Sequence, residues 1–261
     1  MSASLSNYQE RIAQVVARIR QTEQKIGQPN GTAAMWPNAF ATSAATSRAT
    51  LPSTPVRLLV VSKTFPAAAV AAVAACGQQA FGENYVQEGV EKILALKEQN
   101  IGNLEWHFIG PIQSNKTRQI AEHFDWVQSV DRLKIAERLA EQRPSHLPPL
   151  QILLQVNISG EATKSGFQPA DLPAAVAAVQ ALPMLKLRGL MAIPAPADNE
   201  AAQRLPFRAM KTLFDQLNAQ LAPHGAGLDT LSLGMSADLE AAILEGSTMV
   251  RVGSAIFGER T

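Results

Sequence analysis

From Val56 onward, short apolar runs alternate with helical stretches eight times over, and that alternation constrains the fold more than any other feature of the chain. The expected strands are Arg57 to Ser62, Gln79 to Gly82, Glu105 to Gly110, Asp125 to Val130, Leu150 to Ile158, Leu185 to Ala192, Thr230 to Gly234 and Met249 to Gly253. Between them, Gln87 to Gln99, Ser114 to His123, Arg132 to Gln142, Leu172 to Leu182, Ala201 to Leu221 and Ala237 to Glu245 carry helical periodicity. The last shows how such a helix is delimited: Ser236 can cap its start, Leu239, Ala242 and Ile243 form its buried stripe, and Gly246 can close it. Eight strands joined by helical crossovers point to an α/β fold, a single-domain (β/α)8 TIM barrel. An open doubly wound sheet has the same alternation, but it normally carries a G-x-G-x-x-G turn after an early strand, and this sequence has none.

One amphipathic helix is expected before the barrel, over residues 5 to 26, with Ile12, Val15, Val16 and Ile19 on one face. Gly27 to Pro55 is rich in Ala, Ser, Thr, Pro and Asn and has Arg48 as its only charge, which reads as a mobile surface insertion in a domain spanning 1 to 261. Charge narrows the partners. Twenty-three basic against 22 acidic side chains give a net charge of +1, no field for nucleic acid or an anionic membrane, and so favour a small-molecule ligand. The single cysteine, Cys76, ends a small-residue helix and reads as a packing residue. His107, His123, His146 and His224 lack metal-ligand spacing. With no signal-like N-terminus and no run of membrane-spanning length, a cytoplasmic protein is expected.

In barrels of this kind the chemistry gathers at the C-terminal strand ends. Lys63 ends the first apolar run, and an amine there is costly unless it is paired, neutralised or covalently used. Desolvation favours the free amine, the form that attacks aldehydes. Asn84 follows the second strand, Asn157 ends the fifth, Met191 lies near the end of the sixth, and Ser236 follows the seventh. Gly253 and Ser254 follow the eighth, in a stretch of small residues where backbone N–H groups can approach an anion. Phosphates in such barrels often sit beyond strands seven and eight. Arg251 stands alone inside an apolar strand and cannot be neutralised at ordinary pH. A Schiff-base lysine, a phosphate cup and a ring-facing arginine together describe a site for pyridoxal 5′-phosphate (PLP).

Six stretches carry a family likeness: Val60 to Thr64, Phe81 to Glu88, Glu105 to Lys116, Arg188 to Ile193, Leu231 to Ser236 and Met249 to Gly253. In this order they resemble the pyridoxal phosphate homeostasis protein family, single-domain relatives of the alanine racemase barrel. The resemblance implies that Lys63 holds the cofactor as an internal Schiff base. It implies that Ser236, Gly253 and Ser254 bind its phosphate, that Arg251 faces the pyridine nitrogen, and that Asn84 lies beside the ring. Two departures stand out. Phe65 occupies a position where the family commonly has a second lysine, and the Gly27–Pro55 segment is longer than the usual link. Lys164 matches another family lysine and reads as a solvated loop residue.

The leading expectation is a monomeric carrier that buffers PLP and passes it to apo-enzymes. The rival is a PLP-dependent amino-acid racemase or decarboxylase, which the family comparison implies would add a β-rich domain supplying a second catalytic group. Only eight residues follow Gly253, and of the two tyrosines, Tyr8 and Tyr85, only Tyr85 is expected near the mouth. One base with an open face leaves no agent to reprotonate both sides of a carbanion. A class I aldolase-like lysine enzyme needs neither the phosphate cup nor the arginine.

Overall fold

A computed structural model of the chain describes residues 2–26, 55–161, 164–225 and 227–258. Eight parallel strands close into a barrel in sequence order. They are β1 (Arg57–Val61), β2 (Ala80–Glu83), β3 (Glu105–Phe108), β4 (Trp126–Val130), β5 (Leu150–Gln155), β6 (Leu185–Met191), β7 (Thr230–Ser232) and β8 (Met249–Val252). The closure joins β8 to β1, with Leu58 opposite Val250 and Val60 opposite Val252. Six strands end one to three residues before the expected point; β4 ends at Val130 as expected, and β2 runs one residue further, to Glu83.

Helices wrap the barrel: α1 (Ser2–Ile26), α2 (Ala67–Ala75), α3 (Val86–Glu98), α4 (Thr117–His123), α5 (Leu133–Gln142), α6 (Leu172–Gln180), α7 (Glu200–Leu221), α8 (Leu239–Leu244) and α9 (Ser254–Phe257). The expected insertion at 27–55 lies, apart from Pro55, outside the described residues. Strand alternation divides the side chains into two sets. Val60, Phe81, Phe108, Val127, Leu154, Leu231 and Val250 face the helices and build the main core. Leu59, Ala80 and Met249 meet inside the barrel, as do Trp126, Leu153 and Met191. The preceding helix α1 buries Val15 and Ile19 and pairs Arg18 with Glu240 of α8 at 2.7 Å.

One boundary is corrected. Ser236 does not cap the helix after β7, because that helix starts at Leu239 with Asp238 in the capping position. Asp238 Oδ1 accepts the Met235 N–H at 2.6 Å, which closes residues 235–238 into a turn and delays the helix. Ser236 lies within that turn, its carbonyl accepting from Arg18 Nη2 at 3.1 Å.

Candidate functional site

Lys63 lies in the turn after β1, half-buried, and continues the alternation that sends Arg57, Leu59 and Val61 toward the barrel axis. The turn is strained: Thr64 has φ 68°, a left-handed conformation that β-branched residues rarely adopt. Both sides of Lys63 are pinned. The Ser62 carbonyl accepts from Lys92 Nζ at 2.7 Å, and Ser62 Oγ donates to Glu83 Oε1 at 2.6 Å. The Thr64 N–H donates to Glu88 Oε1 at 2.5 Å. Lys92, on α3, ties these together by also donating to Glu83 Oε1 at 2.8 Å and to Glu88 Oε1 at 2.6 Å. Burial raises the Glu83 carboxyl above its ordinary range against the pull of Lys92, and Glu83 Oε2 has no hydrogen-bond partner.

Arg251 enters the barrel from β8 and is 4% exposed. Its Nη1 donates to the Ser232 carbonyl at 2.7 Å and to Ser232 Oγ at 2.6 Å, and its Nη2 to the Ala192 carbonyl at 3.0 Å. These are neutral acceptors; no carboxylate forms an ion pair with Arg251 among the described residues. Burial pulls even this guanidinium down to about 10, with Asp238 opposing from a distance. Met191 is fully buried beside Trp126 and Leu153, one residue before the Ala192 carbonyl that Arg251 holds. Gly253 follows directly after β8, and a Cβ there would meet the Val61 carbonyl at 3.0 Å, so this residue lets the chain leave β8 close under the Lys63 turn. Ser254 is exposed at the start of α9.

Strand order therefore gathers Lys63, Ser236, Arg251, Gly253 and Ser254 on the adjoining ends of β7, β8 and β1, with Met191 on β6. Asn84 stands on the other side of Lys63, past β2. Gly110 lets it sit there, since a Cβ on Gly110 would fall 2.0 Å from the Asn84 carbonyl oxygen. Asn84 is the one expected site residue lining a cavity of about 250 Å³, shared with Asp131, Gln155, Asn157 and Lys164. Asn84 Oδ1 and Asn157 Oδ1 are both buried there without a partner. Asn157 Nδ2 donates to the Glu161 and Lys164 carbonyls at 2.8 and 3.1 Å, holding the loop after β5. Lys164, read from sequence as a solvated residue, is half-buried and pairs with Glu161 at 2.7 Å.

Sequence reading missed two sets of polar residues. Glu83 and Lys92 lie between β2 and α3, and only the Glu88–Lys92 spacing hinted at them. His107, Gln128 and Ser232 lie inside the barrel with no exposed surface. Each is a polar residue at an inward position of its strand, where period-two alternation alone does not distinguish it from a solvated edge.

The alanine racemase N-terminal domain family matches residues 37–261, which include the whole barrel. The pyridoxal phosphate homeostasis protein of Pseudomonas aeruginosa is 53% identical over 98% of this chain and 97% of its own length. That of Escherichia coli K12 is 56% identical over 84% of this chain and 92% of its own length. The chain belongs to the pyridoxal phosphate homeostasis protein family. Among solved structures, PipY of Synechococcus elongatus with PLP bound is 39% identical, with a TM-score of 0.70, covering 78% of this chain and 92% of PipY. An alanine racemase of Clostridium difficile, 19% identical over 78% of this chain and 53% of its own length with a TM-score of 0.58, shares the fold.

Proposed function

We propose that this chain binds pyridoxal 5′-phosphate at the Lys63–Arg251 end of the barrel and serves vitamin B6 homeostasis by holding and releasing it. The observation that carries this reading is Arg251: a guanidinium buried to 4% exposure, hydrogen-bonded to neutral acceptors only, one strand from Lys63. A buried cation in that state favours a ligand rich in acceptors and negative charge. The residues present fit the group. Lys63 offers an amine to an aldehyde, Ser236 and Ser254 offer hydroxyls to a phosphate, and Gly253 leaves room where a Cβ would crowd Val61. The partnerless Asn84 Oδ1 can accept one further hydrogen bond beside the ring. Met191 packs the barrel floor beneath.

When bound, the cofactor supplies an electrophilic aldehyde carbon and an electron-accepting ring. Arg251 can donate to the pyridine nitrogen and cannot accept from it, so it disfavours a proton there and weakens the ring as an electron sink. That suits storage better than carbanion chemistry. The half-exposed flank supports the same reading: Tyr85 is 56% exposed, and Asp131 at the mouth is paired with Arg132 at 2.6 Å. We read the protein as a non-catalytic, monomeric carrier in the cytoplasm that delivers PLP to apo-enzymes. Among the described residues no helix is long and apolar enough to cross a membrane.

Addition of PLP should produce a visible absorption band, and borohydride reduction followed by peptide mapping should place the label on Lys63. Lys63→Ala should fold and lose that band. A label on another lysine overturns the site, and amino-acid racemase activity above the Lys63→Ala background overturns the carrier reading.

A further inference from the structure

A hydrogen-bond chain runs through the barrel interior from Arg251 to the opposite end, and every link in it has one sense. Arginine only donates, so Ser232 Oγ is the acceptor at 2.6 Å, and its own hydrogen goes to Gln128 Oε1 at 2.7 Å. The Gln128 amide nitrogen then faces two acceptors, His107 Nδ1 at 2.9 Å and Met249 Sδ at 3.2 Å. His107 Nδ1 must therefore be bare, with its proton on Nε2, which donates to Glu105 Oε1 at 2.6 Å. The same oxygen accepts from Arg57 Nη2 at 2.6 Å. Neither end can be reversed, since a guanidinium cannot accept and an ionised carboxylate cannot donate. Burial opposes ionisation of Glu105, yet the hydrogen bond from His107 and the Arg57 guanidinium hold its carboxyl down at about 2. Burial in turn lowers the basicity of His107 against the pull of Glu105, which keeps the imidazole neutral.

We infer that His107, Gln128 and Ser232 are positioning residues for Arg251, a one-way chain that locks its guanidinium before any ligand arrives. The role of Arg251 toward the pyridine nitrogen rests on the function proposed above; the chain itself does not. His107, Gln128 and Ser232 have no exposed surface and come from β3, β4 and β7, so the barrel closure assembles the chain. His107 is held flat against Trp126, the ring centroids 5.1 Å apart and the planes 14° apart, which fixes the direction of both its nitrogens. With Nη1 and Nη2 committed toward β7 and β6, the guanidinium is left with one orientation. A side chain already immobilised loses little freedom when it meets a ligand, and this is the contribution of the chain.

Two variants test it. Ser232→Ala removes the link that touches Arg251, and Gln128→Met removes a link that does not. In each, Lys63 should still take the borohydride label, while PLP dissociates more readily, by roughly three- to tenfold, and its visible band moves. Cofactor-free protein gives a second readout. The 15N signals of the Arg251 guanidinium should be narrow in the unmodified chain and broadened in Gln128→Met, although Gln128 forms no direct hydrogen bond to Arg251 among the described residues. Folded Ser232→Ala and Gln128→Met proteins with unchanged band, affinity and Arg251 signals would overturn the inference. If Gln128→Met fails to fold, Ser232→Ala alone decides. Absence of a Lys63 label in the unmodified protein would instead count against the proposed function, with the Arg251 signals still judging the chain.

Discussion

Two buried polar networks flank the barrel wall, and they solve the same problem by different means. Outside the wall, between β2 and α3, three ionisable side chains meet: Lys92 Nζ lies 2.8 Å from Glu83 Oε1 and 2.6 Å from Glu88 Oε1. Inside it, the interior links Gln128, Ser232 and His107 are neutral, and charge appears only at the ends, on Arg251 and on the Glu105–Arg57 pair. The outer network grips backbone, the Ser62 carbonyl and the Thr64 N–H on either side of Lys63. The inner network grips a side chain. A loop lysine can be aimed by fixing its peptide groups, whereas a long arginine within a strand needs its head held.

The difference is most sharply broken by removing Lys92. Lys92→Met leaves Glu83 buried without its ion-pair partner, and loss of one member of a buried ion pair should cost about 3 kcal/mol in urea unfolding. The loss should depend on pH. Burial already raises the Glu83 carboxyl above its ordinary range, and without Lys92 it rises further, so the folded protein binds that proton more tightly than the unfolded chain. Stability from such a group is complete below the unfolded value of 4.5 and falls as pH rises through the folded value. The variant should therefore be relatively weakest at alkaline pH. Uniform destabilisation across pH would show that Glu83 is not the group left stranded.

The inner network should respond with the opposite sign. Burial lowers His107 below 6.5, so the unfolded chain binds its proton more readily than the folded one. Its contribution is present above 6.5 and is lost as pH falls through the lowered folded value. His107→Phe keeps the stacking on Trp126 but strips Gln128 and Glu105 of a partner, at a cost of roughly 1–2 kcal/mol near neutral pH. The gap from the unmodified protein should narrow on the acid side, as followed by thermal unfolding from pH 7 downward. A gap that widens there would mean that His107 is charged in the folded barrel and that the chain runs the other way.

The order of strands, the closed barrel and the helix before it were legible because alternation with a period of two or 3.6 is a local property. Lys63 and Arg251 were legible for a similar reason, each being a charge at the wrong place in an apolar run. Their supports were not. Nothing in the local pattern of β2 or β4 marks Glu83 or Gln128, because what matters is which residue lies opposite each of them in the fold. Ser232 meets Gln128 across 104 positions of sequence, a distance set by closure and register rather than by any local pattern. The capping of the last long crossover was misread for the opposite reason. Ser236 and Asp238 are both good caps, and the choice between them depended on whether Asp238 could reach back to Met235.

The smallest expected effect lies in the turn that the outer network holds. Thr64 at φ 68° holds a conformation that costs an L residue roughly 1–2 kcal/mol, and glycine would relieve it. Glycine also gives the unfolded chain more freedom, worth about 0.5–1 kcal/mol against folding, so the two terms nearly offset one another. Thr64→Gly should thus be neutral or stabilising by under about 1 kcal/mol, where glycine elsewhere in a turn or strand would weaken the fold. Cofactor binding should move the other way. A stiff, β-branched residue locked by Glu88 leaves Lys63 one path out of β1, and glycine reopens several. A variant as stable as its parent but slower to form the visible band would show that the strain at Thr64 serves to aim the lysine. Equal rates would show that the strain at Thr64 does not aim the lysine and would turn attention to the Ser62 side of the turn, held by Lys92 and Glu83.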